Sequence, residues 1–398
     1  MDLTIYPRKL SGTITAIPSK SQAHRLLICA AFSDIPTSIY CPETNQDIEA
    51  TAGCLRELGA KIDRTADGYN VIPGKTFPAV AEINCYESGS TLRFILPVVC
   101  ALGVETTIHM SGRLPYRPLS PLWEELERMG CALTRPTENT IHTSGKLISG
   151  FYTIPGNISS QYISGLLFAL SLLDGESHLN VTGKTESTSY ISMTQKVLSM
   201  FGVDTLDYHV TGGIPFLSPK EITVEGDWSN GAFFLTAAAL GNDVTVENLD
   251  LNSRQGDRTI TEILSMDGEL PEISAANIPD LITILAGYFA SKNGALFTDI
   301  SRLRLKESDR VEAIVQLLKS FGIRAEATDT TLRVYSGKFT GGIVNAYGDH
   351  RIAMTAAIAA TIANGPVTIL GAECVSKSYP AFWQVYEKLG GNYEQYIR

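Results

Sequence analysis

Six stretches of one design recur along this chain, and that repetition restricts the fold more than any single motif does. Each joins a turn of small or polar residues to a strongly apolar helix. They are Ser21-Gln22-Ala23-His24-Arg25-Leu26, Ser90-Thr91-Leu92-Arg93-Phe94, Ser160-Gln161-Tyr162-Ile163, Asn230-Gly231-Ala232-Phe233-Phe234, Asp280-Leu281-Ile282-Thr283 and His350-Arg351-Ile352-Ala353. Their starts lie at 21, 90, 160, 230, 280 and 350, so four of the five intervals are 69 or 70 residues and one is 50. A second series runs out of phase with the first. Amphipathic segments end at Leu58-Gly59, Met129-Gly130, Phe201-Gly202, Asp267-Gly268, Phe321-Gly322 and Leu389-Gly390. The glycine in each case predicts a helix that stops in the left-handed conformation. Residues 323–327 and 331–335 alternate in polarity and predict strands, as does the start at 1–5.

Each period therefore holds one buried and one surface helix with several strands, a small α/β subdomain rather than a solenoid turn. Six such units fit 398 residues if the fourth is about 20 residues short. Two clusters of three predict two domains, with the Gly226-Asp227-Trp228-Ser229 turn as the boundary.

Charge excludes several classes of function. With 32 Lys+Arg against 42 Asp+Glu the net charge is −10, the reverse of a nucleic-acid-binding footprint. Seven cysteines without CxxC spacing predict reduced thiols, and no signal segment precedes the first strand, so a cytoplasmic protein is expected. The charge-free stretches 147–173 and 352–372 are interrupted by polar residues or by Asn364-Gly365-Pro366, so no membrane span is expected. Histidines lack metal spacing and there is no P-loop; neither metal nor cofactor is called for.

The starts of the apolar helices carry the chemistry. A helix N-terminus has unsatisfied N–H groups and partial positive charge, so it attracts phosphate and carboxylate. Here Ser19-Lys20-Ser21 is followed by Arg25, Ser88-Gly89-Ser90 by Arg93, and Ser159-Ser160-Gln161 adds hydroxyls and an amide. Asp349-His350-Arg351 places a cation at the sixth start. Taken singly, each is an N-cap serine with a solvated arginine; together, at equivalent places in a repeat, they predict a polyanion pocket in an acidic protein. Ser308 with Glu312 resembles a capping box, supported by Lys306 and Arg310 one turn apart. Asp280 is either an N-cap or a carboxylate available for proton transfer.

Eight motifs run in order along the chain: Pro18-Ser19-Lys20-Ser21 with Arg25, Ser88-Gly89-Ser90 with Arg93, Tyr116-Arg117-Pro118, Ser159-Ser160-Gln161, Ile278-Pro279-Asp280, Lys306-Glu307-Ser308-Asp309-Arg310, Gly348-Asp349-His350-Arg351 and Ser376-Lys377-Ser378-Tyr379-Pro380. With them the chain resembles the 5-enolpyruvylshikimate-3-phosphate synthase (3-phosphoshikimate 1-carboxyvinyltransferase) family along its whole length. The resemblance implies an α/β fold of two inverse α/β barrel domains, each of three βαβαββ units, closing over substrate. One domain would span 19–228 and the other 1–18 with 229–398. It implies a monomer acting on small molecules, transferring the enolpyruvyl group of phosphoenolpyruvate to the 5-hydroxyl of shikimate 3-phosphate.

Residue roles follow from the same resemblance. Asp280 would be the base, Glu307 the acid toward the methylene carbon, Lys20 a bridge between the substrates, and Lys377 a partner in proton transfer. Lys20, Ser21, Arg25, Ser159, Ser160, Gln161, Ser187, Tyr190, Asp280 and Lys306 would hold shikimate 3-phosphate. Lys20, Gly89, Arg117, Gln161, Arg310, Arg351 and Lys377 would hold phosphoenolpyruvate. The chain departs from the family pattern in four places. Glu87 replaces an Asn before Gly89, Arg302 stands where an Asn is usual, Ser187-Thr188-Ser189-Tyr190 lacks a Lys-Pro centre, and the fourth unit is trimmed.

Overall fold

The computed structural model describes residues 1–266 and 270–396. The described residues form a mixed α/β fold that divides into two compact units, 18–225 and 1–17 with 226–398. Each unit has its own buried apolar core.

In the first unit, six helices alternate between apolar and amphipathic. They are α1 (Lys20–Ala31), α2 (Gln46–Glu57), α3 (Gly89–Leu102), α4 (Leu122–Arg128), α5 (Ser160–Ser171) and α6 (Thr188–Met200). Almost every residue of α1, α3 and α5 is buried, as their apolar runs demand. The sheet Val80–Asn84, Glu105–His109, Thr140–Gly145, Cys131–Thr134 opens with a parallel pair and continues with two antiparallel ones. The sheet Glu221–Thr223, Thr37–Tyr40, Gly68–Ile72, Lys61–Arg64 has the same order of pairings. A third sheet, Phe151–Pro155, Gly175–Thr182, His209–Gly212, keeps the first three strands of that plan.

The second unit contributes α7 (Trp228–Ala239), α8 (Ile260–Leu264), α9 (Ile282–Ala290), α10 (Arg310–Ser320), α11 (His350–Ala360) and α12 (Phe382–Lys388). Its two four-stranded sheets repeat the parallel–antiparallel–antiparallel pattern. The N-terminal strand Asp2–Tyr6 lies between Val367–Leu370 and Asn392–Tyr396. Asp243–Glu247 pairs with Ser11–Thr15 alone among the described strands. All six sheets of described residues are open; none closes into a barrel by hydrogen bonds.

The expected helix-ending glycines Gly59, Gly130, Gly202, Gly322 and Gly390 all have positive φ. The sixth, at Asp267-Gly268, lies outside the described residues. Two of the apolar helices, α3 and α5, approach unusually closely. Pro97 inside α3 has no N–H to offer the carbonyl of Arg93, and Gly165 of α5 lies directly on that carbonyl, where a Cβ would collide. The absent side chain lets the two helices meet at the Arg93 carbonyl.

Candidate functional site

Within the unit 18–225, four segments bring their cations and hydroxyls to helix starts. Ser19 precedes α1 in an extended conformation, and its buried Oγ has no hydrogen-bond partner among the described residues. Lys20 then pairs with Asp47 at 2.8 Å. Arg25, one turn into α1, is only 3 % exposed, yet the hydrogen-bond acceptors around it are neutral. It donates to Ser21 O at 2.5 Å, Thr194 Oγ1 at 2.7 Å and Tyr190 O at 3.0 Å, with Ser164 Oγ at 3.5 Å. Its guanidinium also lies over the Phe94 ring. Burial lowers its pKa to about 10, so it stays cationic at neutral pH. A buried cation met by neutral oxygens alone keeps its full attraction for an incoming anion.

The start of α3 is a second such place. Ser88 caps it by accepting from Thr91 N. A Cβ on Gly89 would come within 2.5 Å of Arg117 Nη1 and 2.7 Å of Arg93 Nη1, so two guanidiniums converge on that backbone. Arg93 donates to Gly89 O and Pro118 O, and Tyr162 OH donates to the same Pro118 carbonyl. The buried Nε of Arg117 has no acceptor among the described residues. Gln161 joins the starts of α5 and α3 by donating to Ser90 Oγ at 2.9 Å, while Ser159 caps α5 and Ser160 is buried in its first turn. Ser187, 2 % exposed, precedes α6 with φ 54, an uncommon conformation for serine. Tyr190 follows in the first turn of α6 and gives its carbonyl to Arg25.

The unit 1–17 with 226–398 holds a different cluster. Arg310 is fully buried at the start of α10 and meets three carboxylates: Asp349 at 2.9 Å, Asp280 at 2.8 Å and Glu307 at 2.5 Å. Asp280 also meets Arg351 at 3.3 Å and Lys306 at 3.6 Å. Burial alone would raise Asp280, but Arg351, Lys306 and Arg310 together hold it well below the usual carboxylate range. Burial outweighs the carboxylates at Lys306 and lowers it to about 8. Arg310 moves the other way: burial opposes its charge, and Asp349, Glu307 and Asp280 override that and raise it. Lys377 ends the short helical turn Ala372–Lys377 and is 8 % exposed.

Some residues play other parts than the sequence suggested. Asp280 is not an N-cap: α9 starts at Ile282 behind Leu281, and Asp280 is the meeting point of three cations. The cap of α10 is Asp309, which accepts from Glu312 N, while Ser308 Oγ donates to the buried Asp349. The Glu87 carboxylate lies against the backbone of Gly112. Sequence reasoning passed over Asp349 as an ion partner and Asp257 altogether. Asp257 is fully buried, accepts from Ser229 Oγ, and is raised to about 7 by burial and by Asp280. Its signal was an acid beside Gln255-Gly256 in an otherwise trimmed segment.

Buried cations at helix starts on an open-sheeted α/β scaffold define a protein that handles small polyanions. The family model for EPSP synthase (3-phosphoshikimate 1-carboxyvinyltransferase) matches residues 5–272 and 268–386. A 3-phosphoshikimate 1-carboxyvinyltransferase of Clostridium kluyveri is 35% identical, with 99% of this chain and 98% of the relative covered. One from Clostridium acetobutylicum is 36% identical, covering 98% of each. The EPSP synthase structure from Acinetobacter baumannii superposes with a TM-score of 0.80 at 24% identity, over 99% of this chain and 100% of the other. The chain belongs to the EPSP synthase family.

Proposed function

We propose that this chain transfers the enolpyruvyl group of phosphoenolpyruvate to the 5-hydroxyl of shikimate 3-phosphate, releasing phosphate, in the route to chorismate and the aromatic amino acids. The observation that carries this reading is the family match along nearly the whole chain, with 3-phosphoshikimate 1-carboxyvinyltransferases at 35% and 36% identity. The substrates bring about five to six negative charges, given a second phosphate ionisation near 6. Buried cations at helix starts suit that load.

In this reading Lys20, Ser21, Arg25, Ser159, Ser160, Gln161, Ser187, Tyr190, Asp280 and Lys306 hold shikimate 3-phosphate. Lys20, Gly89, Arg117, Gln161, Arg310, Arg351 and Lys377 hold phosphoenolpyruvate. The methylene carbon of phosphoenolpyruvate takes a proton from Glu307 as the 5-hydroxyl adds to the neighbouring carbon and gives its proton to Asp280. In the tetrahedral adduct a methyl proton returns to Glu307 as phosphate departs with the proton held by Asp280, which restores the enol ether and both acids; Lys20 bridges the substrates and Lys377 shares the proton transfer. The ion pairs supply a physical reason for the timing. Asp280 is a poor proton acceptor while Arg310, Arg351 and Lys306 hold its charge, and Glu307 is tied to Arg310. Substrate carboxylate and phosphate would compete for those cations and so raise the proton affinity of Asp280.

The two compact units are taken as the two domains of the family, each assembled from three βαβαββ units in an inverse barrel, the fourth of them shortened. The recurring parallel–antiparallel–antiparallel sheets support that plan. A monomer at work in the cytoplasm completes the reading. The test is phosphate release from phosphoenolpyruvate with either shikimate 3-phosphate or UDP-N-acetylglucosamine as acceptor. Release with shikimate 3-phosphate alone is expected; release with the sugar nucleotide alone, or with neither, overturns it.

A further inference from the structure

Behind the helix starts of the unit 18–225 runs a buried row of hydrogen-bonding side chains that the proposed chemistry does not use. His24 Nδ1 lies 2.7 Å from Thr51 Oγ1, Thr51 Oγ1 lies 2.7 Å from Thr91 Oγ1, and Thr91 Oγ1 donates to Ser88 Oγ at 2.7 Å. The row crosses from α1 through α2 to the cap of α3. His24, Thr51, Thr91 and Ser88 are each at most 1 % exposed. Thr91 Oγ1 also lies 3.3 Å from the carbonyl of Asp47, whose carboxylate holds Lys20. One residue, Asp47, thus touches the start of α1 with its side chain and the α3 row with its backbone.

The direction of the bonds follows from counting protons. Each hydroxyl has one to give, and Thr91 gives its proton to Ser88 Oγ or to the Asp47 carbonyl. Thr91 must then accept from Thr51, and Thr51 must accept from His24 Nδ1–H. Burial keeps the imidazole neutral, lowering His24 to about 3, so its single proton is committed to that bond. The remaining nitrogen, Nε2, has no hydrogen-bond partner among the described residues, which is tolerable for a lone pair and more costly for an N–H. The ring stands nearly perpendicular to Phe94, the same ring that lies under Arg25. The bonds from His24 through Thr51 to Thr91 therefore run in one direction.

We infer that the His24–Thr51–Thr91–Ser88 row is a positioning device, which fixes the start of α3, with Gly89 and its two guanidiniums, relative to the start of α1, with Lys20 and Arg25. The inference deepens the proposed function and rests on it: two anions that react must be held at one spacing, and small misplacements are costly in rate. None of the four side chains has to touch substrate. An apolar filling of the same space would keep the helices packed yet leave their starts free to slide, because dispersion contacts are far less directional than hydrogen bonds.

The test uses the full-length enzyme with Thr51→Val, which keeps shape and removes the hydroxyl, and Thr51→Ser, which restores it. Turnover of the unaltered protein with shikimate 3-phosphate is measured first and decides the proposed function by itself. A flat variant series then overturns the positioning role alone. The expected result for Thr51→Val is a KM for phosphoenolpyruvate raised about tenfold, with that for shikimate 3-phosphate changed less than about twofold. Thr51→Ser should return to the unaltered values, and Thr51→Val with Thr91→Val should be no worse than Thr91→Val alone. A lower melting temperature with both KM values unchanged, or equal impairment in Thr51→Val and Thr51→Ser, overturns the inference. If Thr51→Val does not fold, His24→Asn and His24→Leu serve in the same assay. Retained KM in the first and loss in the second supports the role; equal values overturn it.

Discussion

Two buried arginines, Arg25 and Arg310, stand near the starts of their helices in different units, and their surroundings are opposite. Arg25 is met by backbone carbonyls and by the hydroxyls of Thr194 and Ser164. Arg310 is met by Asp349, Asp280 and Glu307. Burying a cation costs several kcal/mol unless it is paired, so the first is stable only at some expense to the fold and the second is supported by it. The comparison separates two ways of using a cation. A guanidinium among neutral oxygens keeps its attraction for an incoming anion, as the proposed role of Arg25 requires. One saturated with carboxylates tunes those carboxylates and yields to an anion only by exchange.

The most severe way to break the contrast is Arg310→Met. It strands the carboxylate of Asp349, which is fully buried, beside two other acids. A loss of about 3–5 kcal/mol is expected, read as a lower denaturation midpoint. If Arg310→Met were as stable as the unaltered protein, the carboxylates would not depend on it.

The next test concerns the receptor side. Gly89→Ala places a Cβ 2.5 Å from Arg117 Nη1 and 2.7 Å from Arg93 Nη1, so both guanidiniums must move. Steady-state kinetics should show the KM for phosphoenolpyruvate rising about tenfold, with little change in melting temperature. Equal effects on both substrates would mean that the helix start, and not the guanidiniums, had shifted.

On the saturated side pH is a finer instrument. Lys306 loses its charge near pH 8, so kcat/KM should fall on a basic limb there, and Lys306→Arg should move that limb upward. An unchanged limb in Lys306→Arg would assign it to another group. The smallest effect is expected at Asp257, whose folded pKa of about 7 exceeds the unfolded value near 3.9. The native state binds the extra proton, so this group's contribution to stability falls as pH rises from about 4 to about 7. Asp257→Asn removes that dependence. It should be more stable than the unaltered protein at pH 8, by a margin that shrinks toward pH 5 in parallel urea titrations. A constant margin would contradict the raised pKa.

Much of this was legible in the sequence, and the residues say why. The runs after Ser88-Gly89-Ser90 and Ser159-Ser160-Gln161 are apolar nearly all round, and the one after Ser19-Lys20-Ser21 becomes so from Leu26, a pattern that suits a buried helix; α1, α3 and α5 start within a residue of where the runs predict. Local chemistry travels with local sequence. Partners distant in sequence do not. The neighbours of Asp280 come from positions 306, 310 and 351, and nothing near Asp280 announces them. Asp257, Asp349 and the row from His24 to Ser88 were missed for the same reason. The cap of α10 was misplaced by one residue because Ser308 and Asp309 are both good caps and a tertiary bond to Asp349 draws the serine away. Sheet order was equally hidden, since the strand Asp2–Tyr6 finds partners more than 360 residues away.

The central claim, that Arg25 is a receptor held ready at a cost to the fold, is met most directly by one paired measurement on Arg25→Met. The atoms it leaves are neutral, and Thr194 Oγ1 still donates to Ser164 Oγ or to Tyr190 O. Calorimetric titration with shikimate 3-phosphate, beside a thermal melt, should show affinity reduced about a hundredfold or more and a melting temperature equal to or above that of the unaltered protein. Retained affinity, or a collapse in stability like that of Arg310→Met, would contradict it.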